Sequence, residues 1–120
     1  MSERLAIIES PQLDGLLLHV RGELDIASVP QLSNRLLALL REGRDVALDL
    51  SEVGFIDSSG VSVLIAGARA AELSGSTLTI RAVSAAALRV LELTGVTERL
   101  QLSPDAASSS AEPTAERQRR

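Results

Sequence analysis

Gly54-Phe55-Ile56-Asp57-Ser58-Ser59-Gly60 closes a run that alternates apolar and polar residues from Val46 and opens one in which Val61, Leu64, Ile65 and Ala68 recur at helical spacing. The change of period marks a strand and its loop handing over to a helix. Two hydroxyls and a carboxylate are thereby gathered at a helix N-terminus, where the helix dipole and the backbone N–H groups favour a phosphate.

Working outward, Leu5 to Ile8 and Leu16 to Val20 are apolar runs separated by Pro11-Gln12-Leu13-Asp14-Gly15. Asp-Gly beside a Pro reads as a hairpin connection. After Gly22 the spacing of Val29, Leu32, Leu36, Leu39 and Leu40 is helical, and Ser28-Val29-Pro30-Gln31 has the form of a capping box with Pro in the first turn. Gly43 ends that helix, Val46 to Leu50 is a third strand, and Gly75 stops the helix that begins at Ser58. Leu78 to Ile80 is a fourth strand, and Ser84 caps a third helix that Gly95 closes. The order β-β-α-β-α-β-α predicts an α/β domain: a hairpin followed by right-handed crossover units, giving a mixed sheet of four to five strands packed with three to four helices. Asp57 and Ser58 then fall beyond the carboxyl end of a sheet strand, where open α/β sheets place their sites.

Composition narrows the function. The chain has 120 residues, enough for one domain, and Phe55 is its only aromatic, so no ring is available to stack on a base or line a sugar site. Its formal net charge is −4, with Arg as the only strong cation and no Lys, which argues against nucleic acid and favours a partner with a basic surface. With no Cys there are no disulfides, thiolate metal sites or Cys nucleophiles, which fits a reducing compartment. No stretch approaches the ~18–20 apolar residues of a membrane span, and Met1-Ser2-Glu3-Arg4 lacks a signal-peptide pattern, so a cytoplasmic protein is expected.

Catalytic readings fail on specific residues. The lone His19 sits mid-strand between Leu18 and Val20 and reads as a structural residue, and scattered carboxylates without Cys make no metal constellation. Gly60-Val61-Ser62-Val63-Leu64 misses the hydrolase elbow at its last position, and a Walker loop needs a Lys. Asp57 as the phosphate acceptor of a receiver domain requires an acidic pair after the first strand and a late Lys; here the first strand is followed by Glu9-Ser10-Pro11 and Lys is absent. A non-enzymatic protein without cofactor or metal is expected.

Gly22-Glu23-Leu24-Asp25, then Leu48-Asp49-Leu50 with Val53-x-Phe55-Ile56-Asp57-Ser58-Ser59-Gly60, and later Ala82-Val83-Ser84 to Leu93-Thr94-Gly95, resemble the STAS domain and within it the bacterial anti-sigma-factor antagonists. Either short element alone is also what a helix N-cap or a strand end with its turn needs; the resemblance rests on the two together. It implies an acceptor Ser directly after the Asp, hence Ser58, with Ser59 as the alternative. It also implies a partner surface formed by Glu23, Asp25, Asp57, Ser59, Gly60 and Ser62, with Asp25 beside the acceptor, Asp57 orienting the hydroxyl or the partner, and Ser59 and Gly60 offering free N–H groups. Ser62 stands where the family often has a second Gly. The implied partners are an anti-sigma factor that is also a serine kinase, which supplies the ATP, and a PP2C-type phosphatase, the free chain being a monomer. Two alternatives within the resemblance are a STAS-like adaptor subunit of an ABC-type lipid-transport complex and a scaffold subunit of a stress-signalling assembly.

Two further expectations concern packing. Phe55, the only large ring, is expected to anchor the core at the sheet-to-helix junction. The domain is expected over residues 1–102, and residues 103–120, without Leu, Ile, Val or Phe, as a disordered, dispensable tail.

Overall fold

Leu18, Leu48, Ile80 and Leu102 stand in register on four neighbouring strands, and this aliphatic row runs beneath the helices. The structure, a computed structural model, describes residues 4–107. In chain order the elements are β1 (Leu5–Gln12), β2 (Gly15–Leu24), α1 (Val29–Arg41), β3 (Val46–Ile56), α2 (Ser58–Ser74), β4 (Leu78–Val83), α3 (Ala85–Leu93), a short 3-10 turn (Thr97–Arg99) and β5 (Gln101–Leu102). They form one five-stranded sheet in the order β1-β2-β3-β4-β5, with β1 antiparallel to β2 and the rest parallel. The expected α/β architecture of a hairpin followed by crossovers is therefore present, with a third crossover leading to β5. Each crossover steps to the next strand in the same direction, and α1 and α2 lie packed together.

Alternation decides which sheet face is covered. Leu16, Leu18 and Val20 on β2 and Val46, Leu48 and Leu50 on β3 are buried, while His19, Arg21 and Asp49 point to the opposite face. There His19 Nδ1 lies 3.2 Å from Asp49 Oδ2 and its Nε2 lies 3.5 Å from Glu52 Oε2. Burial pushes the Asp49 carboxyl up, but the Ser51 hydroxyl and amide together with His19 outweigh it and hold it below its ordinary value. His19 is thus a half-buried strand residue between two carboxylates.

The outer edge of β1 is blunted. Arg4 and Glu23 form a hydrogen-bonded pair, so alternation turns the backbone of Leu5, Ile7, Glu9 and Pro11 outward. Gln31 Nε2 donates to the Leu5 carbonyl at 3.3 Å, and Pro11 has no N–H to offer. The two ends of the edge are thus protected, with the Ile7 and Glu9 backbone groups facing outward between them.

Three expectations change. Phe55 is 48% exposed and is no core anchor. Neighbouring strand residues point to opposite faces, and Ile56 takes the inward position, at 3% exposure. Ser28 and Gln31 do not form a capping box: the Ser28 hydroxyl donates to the Glu23 carbonyl at 2.6 Å, Gln31 reaches β1, and Asp25 caps the turn instead. The expected boundary at Leu102 falls inside packed structure. Ser103 N–H donates to the Ile80 carbonyl at 2.9 Å, and Ala106 is 1% exposed within the core. Alanine fills space without announcing itself in a search for large aliphatics. The rest of the expected tail, residues 108–120, lies outside the described residues.

One polar contact ties the start of β1 to the loop after β2. Asp25, 8% exposed, accepts from the Arg4 guanidinium through Oδ2 and from the Ala27 and Ser28 amides, each at 3.1 Å, through Oδ1. The Arg4 hydrogen bond, aided by these amides, holds the Asp25 carboxyl below its ordinary value against the cost of burial.

Two outcomes are expected. A chain ending at Leu102 should be less stable than one ending at Ala107 by about 1–2 kcal/mol, the scale of one hydrogen bond and one small buried side chain; equal urea midpoints would show that residues 103–107 contribute nothing. The second concerns acid. A carboxyl whose folded value is depressed binds fewer protons folded than unfolded, so its contribution is complete above about pH 4 and is lost as pH falls through the folded value. Asp25→Asn should flatten the acid limb of stability in urea melts between about pH 2 and 5, and an unchanged limb would mean that the Arg4–Asp25 contact does not couple to folding.

Candidate functional site

The ends of β2 and β3 meet at the start of α2. Glu23 is in register with Phe55 and Leu24 with Ile56, and the Asp57 N–H donates to the Leu24 carbonyl at 3.1 Å. Register shifts on the β2–β3 pairing place extra residues in β3, including Gly54, and bulges of this kind re-aim side chains beside sites. Asp57 is the N-cap of α2: its Oδ1 accepts from the Ser59 N–H at 2.9 Å and from the Gly60 N–H at 3.4 Å. The N–H groups of Ser59 and Gly60, expected to be free, are therefore engaged by Asp57, and Oδ2 is the carboxylate oxygen left over.

Ser58 is the first residue of the helix and is exposed, and its hydroxyl has no hydrogen-bond partner among the described residues. Ser59 is half-buried, and Ser62 is exposed one turn further along. Gly60 is buried, and the reason it lacks a side chain is spatial. A Cβ there would lie 2.6 Å from Ile56 Cγ1 and 3.0 Å from Leu24 Cβ, so only Gly lets the first turn of α2 press onto both strand ends. Gly22 is fixed differently: its φ is +119° and a Cβ would lie 2.1 Å from the Arg4 carbonyl oxygen.

Of the residues expected at the site, Glu23, Asp25, Asp57, Ser58, Ser59, Gly60 and Ser62 all belong to the same end of the sheet, at the end of β2, on the β2–α1 loop, or at the N-cap and first two turns of α2. Their roles differ. Asp25 is turned inward and orders the loop, whereas Glu23 is exposed, 3.4 Å from Arg4 Nη2. Two residues that sequence reading passed over join them: Ile26, 76% exposed at the tip of the Asp25 loop, and Phe55. Ile26 lies outside every apolar period, a signal the sequence carries; Phe55 shares its parity with the buried Val53 and is turned outward past the extra residue Gly54, which the sequence does not announce.

The arrangement thus offers, at the same end of the sheet, a hydroxyl at a helix N-terminus without a partner among the described residues, two exposed apolar side chains and several carboxylates. Among the described residues no cluster of three or more His, Asp or Glu is placed to hold a metal, and no helix is long and apolar enough to cross a membrane.

A family model described as "Mlab, STAS domain" matches residues 10–103. The anti-sigma-B factor antagonist of Staphylococcus epidermidis is 31% identical over 84 residues, covering 69% of this chain and 78% of that protein. Among solved structures, an anti-sigma factor antagonist from Mycobacterium paratuberculosis is similar with a TM-score of 0.75 at 22% identity, over 88% of this chain and 90% of its own. The Bacillus cell fate determinant SpoIIAA in its phosphorylated form is similar with a TM-score of 0.63 at 18% identity, over 83% and 93%. The two solved structures speak for the fold, and the family model and the curated relative for descent: the chain belongs to the STAS-domain family of anti-sigma factor antagonists.

Proposed function

We propose that this chain is a phosphorylation-controlled partner switch in the cytoplasm. Unphosphorylated, it docks on a kinase-type anti-sigma factor through the Asp25 loop and the start of α2, and the sigma factor is freed. Phosphorylated on Ser58 by that kinase, with the kinase's ATP, it lets go, and a PP2C-type phosphatase resets it. The observation that carries this reading is the exposed, unpartnered Ser58 hydroxyl on a helix start that Asp57 already caps.

The chemistry is consistent with release without unfolding. A phosphate adds about −1.5 to −2 charge at pH 7, and at a helix N-terminus the dipole favours it. In the complex the same charge sits next to Asp57, at the end of the sheet that carries Ile26, Phe55 and Glu23, where docking would remove it from water. Burying an unpaired charge or opposing like charges across an interface costs several kcal/mol, well beyond the ~1.4 kcal/mol that makes a tenfold change in affinity. A phosphate therefore acts on binding far more than on folding.

Two experiments test the reading. On incubation with the cognate kinase and ATP, mass spectrometry should find one phosphate, on Ser58; Ser58→Ala should fold, take none and hold the kinase constitutively, and Ser58→Asp should bind at least tenfold more weakly. Phosphate on Ser59 would move the acceptor by one residue. None on either, with Ser58→Asp binding intact, would sink the switch and favour the adaptor alternative. Separately, Phe55→Ala should melt within a few degrees of the parent, because the ring is half exposed, yet bind the kinase about tenfold or more weakly, as loss of an apolar anchor does. Full binding by a folded Phe55→Ala would remove Phe55 from the interface.

A further inference from the structure

A second exposed apolar site lies at the far end of α2. Leu73 is 81% exposed and stands beside a groove of about 270 Å3 between α1 and α2, lined by Leu37, Arg41, Ala66, Arg69 and Ala70. Glu72 stands on the other flank of the Arg69–Leu73 ridge. Arg41, Arg69 and Glu72 make no ion pair within 4 Å among the described residues. The patch therefore holds a knob, an adjoining hole, and unpaired charges of both signs on one helix.

We infer that this face is a docking site for a second copy of the chain. A two-fold axis relating antiparallel α2 helices sets Arg69 of each copy opposite Glu72 of the other. In the same register Leu73 of each copy falls over the small residues Ala66 and Ala70 and beside Leu37 of the other. Such a contact is isologous: Arg69 and Glu72 of each copy pair with Glu72 and Arg69 of the other, and Arg41, exposed on α1, is left at the rim. The chain's own residues 108–120 do not meet the requirement, since they contain no Leu, Ile, Val, Met or aromatic residue to fill the hole. An acidic segment of another protein would meet the arginines but oppose Glu72, whereas a second copy pairs Arg69 with Glu72 in both directions.

One helix stripe with the rim of α1 belongs to the small interface class, below ~1,200 Å2 in total, so the association is weak. Leu73 is ~22 Å from Ser58 along α2 at ~1.5 Å per residue, so the Ser58 surface stays open in the dimer.

The test is sedimentation velocity on the full chain from about 10 μM to about 1 mM, the range that brackets a weak contact of this size. The expected result is a concentration-dependent dimer that Leu73→Asp or Leu73→Ser weakens at least tenfold and Arg69→Glu also weakens. The charge-swapped Arg69→Glu/Glu72→Arg should restore it, which a general folding defect would not do, and circular dichroism should show unchanged helix content. A chain that stays monomeric to ~1 mM, a concentration matching only about 4 kcal/mol of binding, overturns the inference and leaves another protein as the occupant. A dimer indifferent to the Leu73 substitutions, or one that the charge swap fails to restore, overturns it as well.

Discussion

The start of α2 is fixed by one close approach: Gly60 against Leu24 and Ile56, with the Asp57 N–H on the Leu24 carbonyl. A side chain at Gly60 would collide with both strand ends, so the first turn would have to lift away. Because it does not lift, the N-cap carboxylate closes over the Ser59 and Gly60 amides and Ser58 is left on the outside. The same approach brings the β2–α1 loop alongside, since Leu24 is the last residue of β2 and Asp25 follows it. Exposure of Ser58 and nearness of the loop are thus one constraint seen from two sides.

The acidic residues at this end have divided tasks. Asp25 faces inward and, with Arg4, sets the course of the loop that carries Ile26 outward. Asp57 faces the helix and satisfies two amides that would otherwise be orphaned. Glu23 stays at the surface, partly neutralised by Arg4. A phosphate on Ser58 would add charge to a surface already acidic, which fits repulsion of a partner better than recruitment of one.

Much of this was legible in the sequence because each element carried its own punctuation. The change of period at Asp57, the glycines after α1, α2 and α3, and the Ser84 cap located the strands and helices well. What escaped was set by packing rather than by pattern. Phe55 was assigned to the core for its size, but Ile56, one residue on, already held the inward position. Ala106 has a side chain too small to register as core, yet it is buried. Ser28 and Gln31 matched a capping box by type, but Asp25 was nearer to the amides and β1 nearer to Gln31. The motifs bring the candidate residues to one end of the sheet, while the division between inward Asp25 and outward Glu23 depends on the register of β2 against β3 and on the position of Arg4, neither of which composition reveals.

The central claim is that the switch is local: charge placed on Ser58 changes a surface and leaves the fold alone. Amide chemical shifts of the chain before and after stoichiometric phosphorylation test it most directly. The account expects shifts confined to the β2–α1 loop and to the segment from Gly54 to Ser62, with the amides of β1, β4 and the second half of α2 unmoved. Shifts spread through α1, β4 and the C-terminal half of α2 would contradict it, because they would show that the phosphate repacks the core instead of altering one face.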